Sequence, residues 1–464
     1  MRGSGFLTLA APRPGPTLRR GLRQDRACLT LRAVAAPLPA ESSSQGLVSP
    51  GLAATWTQLE GWAAPLPDPI HGPTSAQARL RLFGQPEAAV RVTLYRDHHA
   101  WCPYCQKVWL WLEERRIPYR VRKVTMNCYG HKEDWYRRLV PSGMLPALEL
   151  DGELITESDQ ILGALETAFG PLHRGMEDPQ VLPLRRLERT LFRAWCQWLC
   201  RPGLGERGEQ VAAGTFERIA TAVEDALAVT PGPFFLEELS TADLVFVPYL
   251  ERMNASLAYY KGYLLRHRHP AIGRWFAALE QRPTYLGCQS DFHTHVHDLP
   301  PQMGGCHANC SEPQRALAAQ IDRGPWPITA PDGADPETSQ NEPVDAAALA
   351  LARVLRHRAA LLERYGQGSG AFDTALRCAL THLIQGDSCP PPGGTAADLR
   401  SLAQRISVPR DMPLHGARRL RRALEHTAAL DPLDPSAPAL PLTQNHRYDQ
   451  DPRPFLLAEQ AQLA

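Results

Sequence analysis

The sequence predicts an α/β domain, an all-α domain after it and a small all-α extension at the end. Short alternating strands and amphipathic helices between residues 88 and 170 indicate the first domain. Apolar residues at helical spacing dominate residues 178–300 and return in residues 343–430, which indicates the two helical parts. The chain of 464 residues fits two or three domains, since one domain usually contains about 100–200 residues.

Composition excludes several functional classes. Hydrophobic residues make up 44% of the chain, enough for sizeable cores, and the net charge is +1. A balance this close argues against a general nucleic-acid or membrane-surface binder, and we expect neither partner. Only four basic residues are Lys, and the scattered Arg indicate a compositional bias rather than a mechanism. The 11 Cys are odd in number and unevenly spaced, unlike the disulfide framework of a secreted protein.

The N-terminus has the composition of a targeting segment. Residues 1–50 contain seven Arg and only two acidic residues, Asp25 and Glu41. An Arg-rich, acid-poor start is typical of an organellar transit peptide, and the alternative is a disordered tail. Up to residue 87 the chain stays rich in Pro, Gly, Ser and Ala without sustained periodicity. We therefore assign residues 1–87 to a transit peptide and a disordered linker.

A CxxC motif carries the candidate chemistry. A predicted strand at 90–95 leads to Cys102-Pro103-Tyr104-Cys105, and an apolar-periodic helix follows. A thiol at a helix N-terminus faces unpaired N–H groups and the positive end of the helix dipole, so its thiolate is favoured. Cys102 is the predicted nucleophile, and Cys105, one turn later, can resolve a mixed disulfide.

A CxxC motif can also form half of a zinc site or a purely structural pair. A zinc site needs a second pair of ligands, and Cys128 and the segment 306–310 lack suitable spacing. The context of strand, loop, CxxC and helix favours a redox function, and we predict no metal.

The elements after this helix extend the pattern. Alternating residues predict a strand at 120–124, and polar residues with interspersed aromatics predict a helix at 131–139. Leu145-Pro146 precedes another strand, and Asp151-Gly152 predicts a two-residue hairpin turn. Glu157-Ser158 then opens an apolar-periodic helix.

This segment resembles the thioredoxin-like domain of glutaredoxins and glutathione transferases. The resemblance rests on CPYC after a strand, Leu-Pro before a strand, and Glu-Ser at a helix start. The resemblance implies a cis peptide bond before Pro146 and glutathione as co-substrate. It also implies that glutathione is bound by the Leu145 backbone, Glu157 and Ser158. Lys132 is a further implied glutathione-binding residue, through its spacing before Trp135. Helix capping is a compatible second role for Glu157 and Ser158.

Residues 178–300 resemble the helical domain of glutathione transferases. Ser240 and Asp243 form a predicted capping box, which Leu239 and Leu244 flank as a hydrophobic staple. Pro248 is expected to kink the helix that follows. The predicted fold is thus an α/β thioredoxin-like domain, an all-α glutathione-transferase C-terminal domain and a small all-α extension.

A cluster of metal-ligating residue types follows the helical domain. It contains His293, His295 and His297, together with Cys306-His307 and Cys310. The His spacing places three rings on one face only in an extended segment. We therefore predict a polar loop here rather than a metal site.

The rest of the chain is predicted to contain a linker, a small helical bundle and a tail. Residues 301–342 are rich in Pro, Gly and acids and predict a linker, whereas residues 343–430 predict three to four helices. Thr395 and Asp398 are a second candidate capping box. A basic patch is predicted to be a solvated helix face and comprises Arg418, Arg419, Arg421 and Arg422. Residues 431–464 predict a Pro-rich tail.

A CPYC-bearing transferase with a transit-like leader and a long C-terminal extension resembles the iota class of photosynthetic organisms. The resemblance implies a plastid location, with the mitochondrion or cytoplasm as alternatives, and a homodimer. The leading hypothesis is a glutathione-dependent thiol transferase that reduces disulfides, glutathionylated substrates or dehydroascorbate. The alternatives are conjugation of glutathione to electrophiles, and a non-enzymatic protein that binds an iron–sulfur cluster or another ligand.

Overall fold

A mixed sheet forms the first domain. The structure is a computed structural model and describes residues 52–366 and 370–440. Five strands in this part of the chain are ordered β1-β3-β2-β4-β5. They are β1 (Leu80–Arg81), β2 (Val92–Asp97), β3 (Tyr119–Val124), β4 (Ala147–Leu150) and β5 (Glu153–Thr156). β2 and β3 run parallel, and the pairs β1–β3, β2–β4 and β4–β5 are antiparallel.

The helices of this part are α1 (Trp56–Trp62), α2 (Pro103–Glu114), α3 (Asp134–Leu139) and α4 (Ser158–Phe169), and a short 3-10 helix covers Glu87–Ala89. α2 begins with Pro103, whose missing N–H costs no intrahelical bond at this position. The turn between β4 and β5 has positive φ at both Asp151 (51°) and Gly152 (86°). This is the type I′ geometry that Asp-Gly predicts, so the predicted hairpin is confirmed.

The second domain is helical, as predicted. Its helices are α5 (Val181–Leu199), α6 (Gly205–Ala228), α7 (Thr241–Lys261), α8 (Leu265–Arg268), α9 (Pro270–Leu279), α10 (Pro283–Cys288) and α11 (Phe292–Met303). Ser240 and Asp243 form the predicted capping box at the start of α7. α7 continues through Pro248, and nearly all of it is buried because α2, α5 and α11 pack around it. Among the described helices, none combines the length and apolar composition needed to cross a bilayer.

The chain after α11 is helical as well. Its helices are α12 (Glu312–Arg323), α13 (Ala346–Arg356), α14 (Arg358–Gly366), α15 (Ala371–Gln385), α16 (Ala396–Arg405) and α17 (Leu414–Ala428). α13, α15, α16 and α17 enclose a core that is separate from that of the transferase domains and contains Leu351, Leu376 and Leu420.

Residues 52–87 are ordered, which corrects the prediction of a disordered linker for this part of 1–87. α1 packs against α13 and α15, where Leu59 is fully buried in the core of the extension. β1 adds a strand to the edge of the sheet through Leu80 and Arg120. Both elements are short, and their partners lie far away in sequence, so they leave no periodic pattern. The remaining residues of the predicted leader lie outside the described residues.

Two further predictions for the region after α10 are wrong. The histidine stretch is not a polar loop but helix α11, in which His293 and His295 are buried. The predicted linker 301–342 contains α12, which packs on α7, and Trp326 and Ile328 join the main core. In this segment, single apolar residues that stand between Pro and Gly pack against the main core. A prediction based on composition overlooks such isolated residues.

Half of the predicted basic patch is not a solvated face, because Arg418 and Arg421 are buried, whereas Arg419 is partly exposed and Arg422 is exposed. Arg418 is 6% exposed and pairs with Asp335 and Glu337, and the fully buried Arg421 pairs with Asp291. Their acidic partners lie on the predicted linker and at the start of α11. These pairs connect the extension to the transferase domain.

The second predicted capping box is also replaced by a long-range contact. Thr395 makes no side-chain cap to α16. Instead, the Asp431 carboxylate accepts hydrogen bonds from the backbone N–H groups of Gly394 (3.0 Å), Thr395 (2.7 Å) and Ala396 (2.9 Å). Residues 431–440 of the predicted tail are thus part of the fold, and residues 441–464 lie outside the described residues.

Candidate active site

The two CPYC thiols lie between β2 and α2. Cys102 is the N-cap residue of α2, and Cys105 lies one turn inside the helix. Both residues are buried, with exposures of 5% and 2%. Burial raises the pKa of Cys105 well above its usual value, and a hydrogen bond to Cys102 and the charge on Cys102 raise it further. Cys105 is therefore a protonated thiol at neutral pH that can donate a hydrogen bond to a thiolate at Cys102.

Lys132 brings a positive charge to these sulfurs. Burial lowers the pKa of Lys132, and electrostatic interactions with the sulfurs of Cys105 and Cys102 act in the opposite direction. Its ammonium group also lies 5.4 Å from the centre of the Tyr136 ring, on the helix that follows. The structure therefore places Lys132, which the sequence indicated only through its spacing, where it can stabilise a thiolate.

Two buried polar residues hold the loop before Cys102. The Asp97 carboxylate, at the end of β2, accepts a hydrogen bond from the Trp101 backbone N–H at 2.7 Å. Arg252 of α7 donates to the Trp101 carbonyl and, at 3.0 Å, to the Gln106 side chain. Its guanidinium lies 4.4 Å from the Trp101 ring centre. Neither residue was predicted from the sequence. The position of Asp97 directly before the loop was an available signal, whereas nothing in the sequence links Arg252 to CPYC.

Leu145 and Pro146 face Cys102 from the start of β4. The Leu145–Pro146 peptide bond is cis, as the resemblance implied. The Cys102 sulfur lies 4.0 Å from the Leu145 carbonyl oxygen. The Tyr136 hydroxyl donates to the Met144 carbonyl at 2.6 Å and so supports this loop from behind. The backbone of Leu145 therefore lies directly beside the Cys102 sulfur.

Glu157 and Ser158 lie at the N-terminus of α4 and line a cavity of about 550 Å³ together with Tyr104 of the CPYC motif. Glu157 has a positive φ of 65°, a backbone conformation that non-glycine residues rarely adopt and that occurs often at functional sites. Ser158 is buried. Unpaired N–H groups at this helix end can bind a carboxylate.

Basic residues, four of them on α5 and one on α2, also line the cavity. Its lining contains Lys107, Arg185, Arg186, Arg189 and Arg193. Lys107 and Arg185 pair with Asp159, and Arg189 pairs with Glu188, which leaves an excess of positive charge. Burial acts to raise the pKa of Asp159, but the charges and hydrogen bonds of Lys107 and Arg185 together outweigh it and hold that pKa below its usual value.

These arginines correct the interpretation of Arg as mere compositional bias. Arg185, Arg189 and Arg193 recur at a spacing of four residues, and such a row lies on one helical face. The spacing by itself was therefore a signal of a basic helix face.

Within the described residues, one group has the geometry of a metal site. Ligand atoms of His293, His297 and Asp322 all lie within 4.8 Å of one another. However, the His297 imidazole and Asp322 carboxylate already pair at 2.8 Å, and the Arg421 guanidinium lies 3.5 Å from His293 Nδ1. A neighbouring buried cation opposes a divalent ion, so we assign these residues to an ion-pair network instead.

Two family models match this chain. Residues 101–168 match the N-terminal domain of glutathione S-transferase, and residues 190–286 match its C-terminal domain. The first match contains CPYC, the Leu145-Pro146 turn and the start of α4. The second covers the second half of α5, then α6 to α9 and the first four residues of α10.

Curated relatives come from plants. Glutathione S-transferase DHAR3, chloroplastic, of Arabidopsis thaliana is 25% identical over 207 residues, which is 44% of this chain and 75% of the relative. Glutathione S-transferase DHAR2 of the same species is 26% identical over 185 residues, which is 40% of this chain and 82% of the relative.

Solved structures with a similar chain include glutathione transferase Omega 3C from Trametes versicolor, with 25% identity, a TM-score of 0.38 and coverage of 52% of this chain and 96% of that one. Chlamydomonas reinhardtii dehydroascorbate reductase has 20% identity, a TM-score of 0.36 and coverage of 46% and 94%. Residues 101–168 and 190–286 thus carry the N- and C-terminal domains of a glutathione S-transferase, which indicates a glutathione transferase-family enzyme.

Proposed function

We propose that this enzyme is a glutathione-dependent thiol transferase in which Cys102 is the nucleophile. The observation that carries the proposal is the position of Cys102. It occupies the N-cap position of α2, receives a hydrogen bond from the protonated Cys105 and lies near the ammonium group of Lys132. A helix N-terminus, a thiol donor and a cation all stabilise a thiolate, which is the reactive form.

Glutathione would bind along the surface from Leu145 to Ser158. Its cysteinyl part would pair with the Leu145 backbone as an added strand beside the cis-Pro146 turn. Its γ-glutamyl carboxylate would accept hydrogen bonds from Ser158 and the first N–H groups of α4, and Glu157 would receive the amino group. Support for this pose is that Glu157 and Ser158 line the same cavity as Tyr104, which is part of the CPYC motif.

The reaction would proceed in two exchange steps. The Cys102 thiolate attacks the glutathionyl sulfur of a mixed disulfide, so the substrate leaves as a thiol and Cys102 carries glutathione. A second glutathione, or Cys105 after losing its proton, then attacks this new disulfide. With a second glutathione, the products are glutathione disulfide and the regenerated thiol at Cys102. Reduction of dehydroascorbate would consume two glutathione molecules and yield the same disulfide.

The test is mass spectrometry after treatment with glutathione disulfide. Cys105→Ser is expected to gain one glutathionyl group on Cys102, because no neighbouring thiol remains to displace it. Cys102→Ser is expected to lose turnover with a glutathionylated peptide and with dehydroascorbate. Cys128→Ser removes a buried thiol outside the proposed machinery and is the matched control, expected to keep activity. The proposal fails if Cys105→Ser gains no adduct on Cys102.

Two competing functions give different results in simple assays. Conjugation predicts robust turnover of 1-chloro-2,4-dinitrobenzene that survives Cys102→Ser, and this would overturn the thiol-transferase proposal. Binding of an iron–sulfur cluster by CPYC predicts visible absorbance after anaerobic purification. We expect weak conjugation and a colourless protein.

We also propose a plastid enzyme related to the iota class and assembled as a homodimer. The Arg-rich composition of residues 1–50 and the chloroplastic relative support the location. A fusion of residues 1–87 to a fluorescent protein is expected to enter chloroplasts, and mitochondrial or cytoplasmic fluorescence would contradict it. Light scattering after gel filtration is expected to give twice the mass of 51.4 kDa.

A further inference from the structure

Three cysteines outside CPYC meet at the C-terminal end of α5. Cys196 and Cys200 lie one turn apart there, and Cys306 approaches from the segment after α11. The His307 backbone N–H, directly after Cys306, donates to the Leu199 carbonyl at 2.9 Å. This bond joins the chain neighbours of Cys306 and Cys200, so the tertiary structure holds the two thiols side by side.

The Cys200 thiol is the centre of this group. It hydrogen-bonds to the thiols of both Cys196 and Cys306, and the basic side chains of His307 and Lys261 lie nearby. The bond from Cys196, then that from Cys306 and the interactions with these two side chains lower the pKa of Cys200 to about 4, although burial opposes the change. The same contacts raise the pKa values of Cys196 and Cys306, which are therefore protonated donors.

Contacts around Lys261 keep this charge in place. Its side chain is buried, and the ammonium group pairs with Glu209 at 2.9 Å. The Lys261 carbonyl accepts a hydrogen bond from the Asn309 side chain at 3.0 Å, which ties the 306–309 segment to the end of α7. The cation and the segment that carries Cys306 thus form one rigid arrangement.

The group is accessible from solvent. Cys200 and Cys306 are partly exposed, and the exposed residues 201–203 follow Cys200 directly. Cys288 provides a contrast, since it is 1% exposed and burial raises its pKa well above the usual value. A thiol such as Cys288 is inert packing, whereas a partly exposed thiolate beside cations is reactive.

We propose that Cys200 is a second redox-active thiol, which glutathione disulfide modifies and which Cys306 then converts to an intramolecular disulfide. The proposal does not depend on Cys102. It assigns a modification site to the helical domain, at the end of α5. This site lies beyond the α5 residues that line the cavity beside Glu157 and Ser158.

The chemistry is balanced by two exchange steps. The Cys200 thiolate attacks one sulfur of glutathione disulfide, forms a Cys200–glutathione mixed disulfide and releases one glutathione thiolate. Cys306 loses its proton to that thiolate and attacks the Cys200 sulfur, so the second glutathione leaves. Overall, two protein thiols are oxidised to one disulfide, and one glutathione disulfide is reduced to two glutathione molecules.

The first experiment uses the full chain with Cys102→Ser and Cys105→Ser, so that CPYC contributes no exchange. After treatment with glutathione disulfide, digestion without reduction is expected to yield a peptide pair joined through Cys200 and Cys306. Adding Cys306→Ser is expected to stop the reaction at one glutathionyl group on Cys200. Adding Cys200→Ser is expected to leave Cys196 and Cys306 unmodified, and Cys288 is the internal negative control.

The second experiment measures the pH profile of Cys200 alkylation by iodoacetamide. Below pH 8.5, the alkylation rate of an ordinary thiol with a pKa of about 8.5 rises roughly tenfold for each unit by which the pH increases. The rate at Cys200 is expected to stay constant between about pH 6 and pH 8, because a thiolate already formed gains nothing from added base.

Three outcomes would overturn the proposal. The first is a Cys200 alkylation rate that rises tenfold per pH unit, like that of an ordinary thiol. The second is the absence of any glutathionyl group on Cys200 in the Cys306→Ser background. The third is one equivalent of zinc in the purified protein that protects all three thiols, because the group would then be a metal site. Failure of the Cys102 reaction affects none of these readouts.

Discussion

Replacing Arg421 by Met tests how the extension is attached to the transferase domain. Arg421 is 1% exposed, and its guanidinium donates to the Asp291 carboxylate at the start of α11. It also donates to the Ile406 carbonyl at 2.9 Å and to the Ala403 carbonyl at 3.3 Å. Met keeps much of the side-chain volume but removes every one of these donors.

The expected loss of unfolding free energy follows from the Asp291 charge that stays in the protein after Arg421 is replaced. Asp291 keeps the hydrogen bond from the Thr294 N–H at 2.9 Å but loses its cation in a site where both partners are buried. Breaking a buried pair by removing one partner costs about 3–5 kcal/mol of unfolding free energy. Adding Asp291→Asn removes the stranded charge while an amide oxygen still caps α11, so the double variant is expected to regain most of this loss.

Urea denaturation measures these differences, and a neighbouring arginine supplies the control. Arg419 pairs with Glu342 on the surface, where both side chains are more than 30% exposed. Such pairs contribute about 0–1 kcal/mol, so Arg419→Met is expected to change little. A loss below about 1 kcal/mol for Arg421→Met, or no recovery in the double variant, would refute the reasoning.

The stability that the Arg421–Asp291 pair contributes depends on pH in a definite direction. Burial acts to raise the pKa of Asp291, but the charge of Arg421 and the hydrogen bonds from Arg421 and Thr294 together outweigh it, so the pKa lies below its usual value in the folded protein. The pair therefore stabilises the fold fully above the unfolded pKa of about 3.9, and this stability is lost as the pH falls through the lower folded pKa. The wild type should thus lose its advantage over the double variant only below about pH 4, as urea denaturation at several pH values would show.

Four other outcomes are expected. Lys132→Met should slow alkylation of Cys102 at neutral pH roughly tenfold, because a nearby cation favours the thiolate, and an unchanged rate would contradict the placement of Lys132. Ser158→Ala should raise the KM for glutathione about tenfold with kcat unchanged in steady-state assays, because one hydrogen bond to a charged group is lost. Arg193→Ser should raise the KM for an acidic glutathionylated peptide several-fold and leave a neutral peptide unaffected; equal effects on both would argue against a charge-selective cavity. Asp431→Ala should lower the unfolding free energy by about 1–2 kcal/mol through loss of the α16 cap. Burial acts to raise the pKa of Asp431, but bonds from backbone N–H groups hold it well below its usual value, so this deficit should shrink as the pH falls toward that pKa in urea denaturation.

Local signals predicted the CPYC region well. Pro103 after Cys102 predicted a helix start, and α2 begins there. Asp151-Gly152 predicted a tight hairpin, and both residues have positive φ. Each of these features depends on a few consecutive residues, whose conformational preferences act before any tertiary contact forms.

Contacts between distant segments were not predicted. Leu59 of α1 packs into a core built from residues beyond 345, and Arg421 pairs with an acidic residue at the start of α11. Arg252 reaches the CPYC loop from α7, and nothing near it in the sequence marks it. A buried arginine and a solvated one look alike in a sequence, because burial depends on what packs against the helix face.

By itself, the sequence determined the order of the three parts, the nucleophile candidate Cys102 and the turn before Pro146, because these depend on local propensity and motif spacing. Only the tertiary structure decided which charges surround the sulfurs, which arginines line the cavity and which acidic residues hold the extension. It alone brought Cys306 to Cys200. The physical reason is that pKa values, ion pairs and thiol contacts depend on distances through space, which chain folding sets.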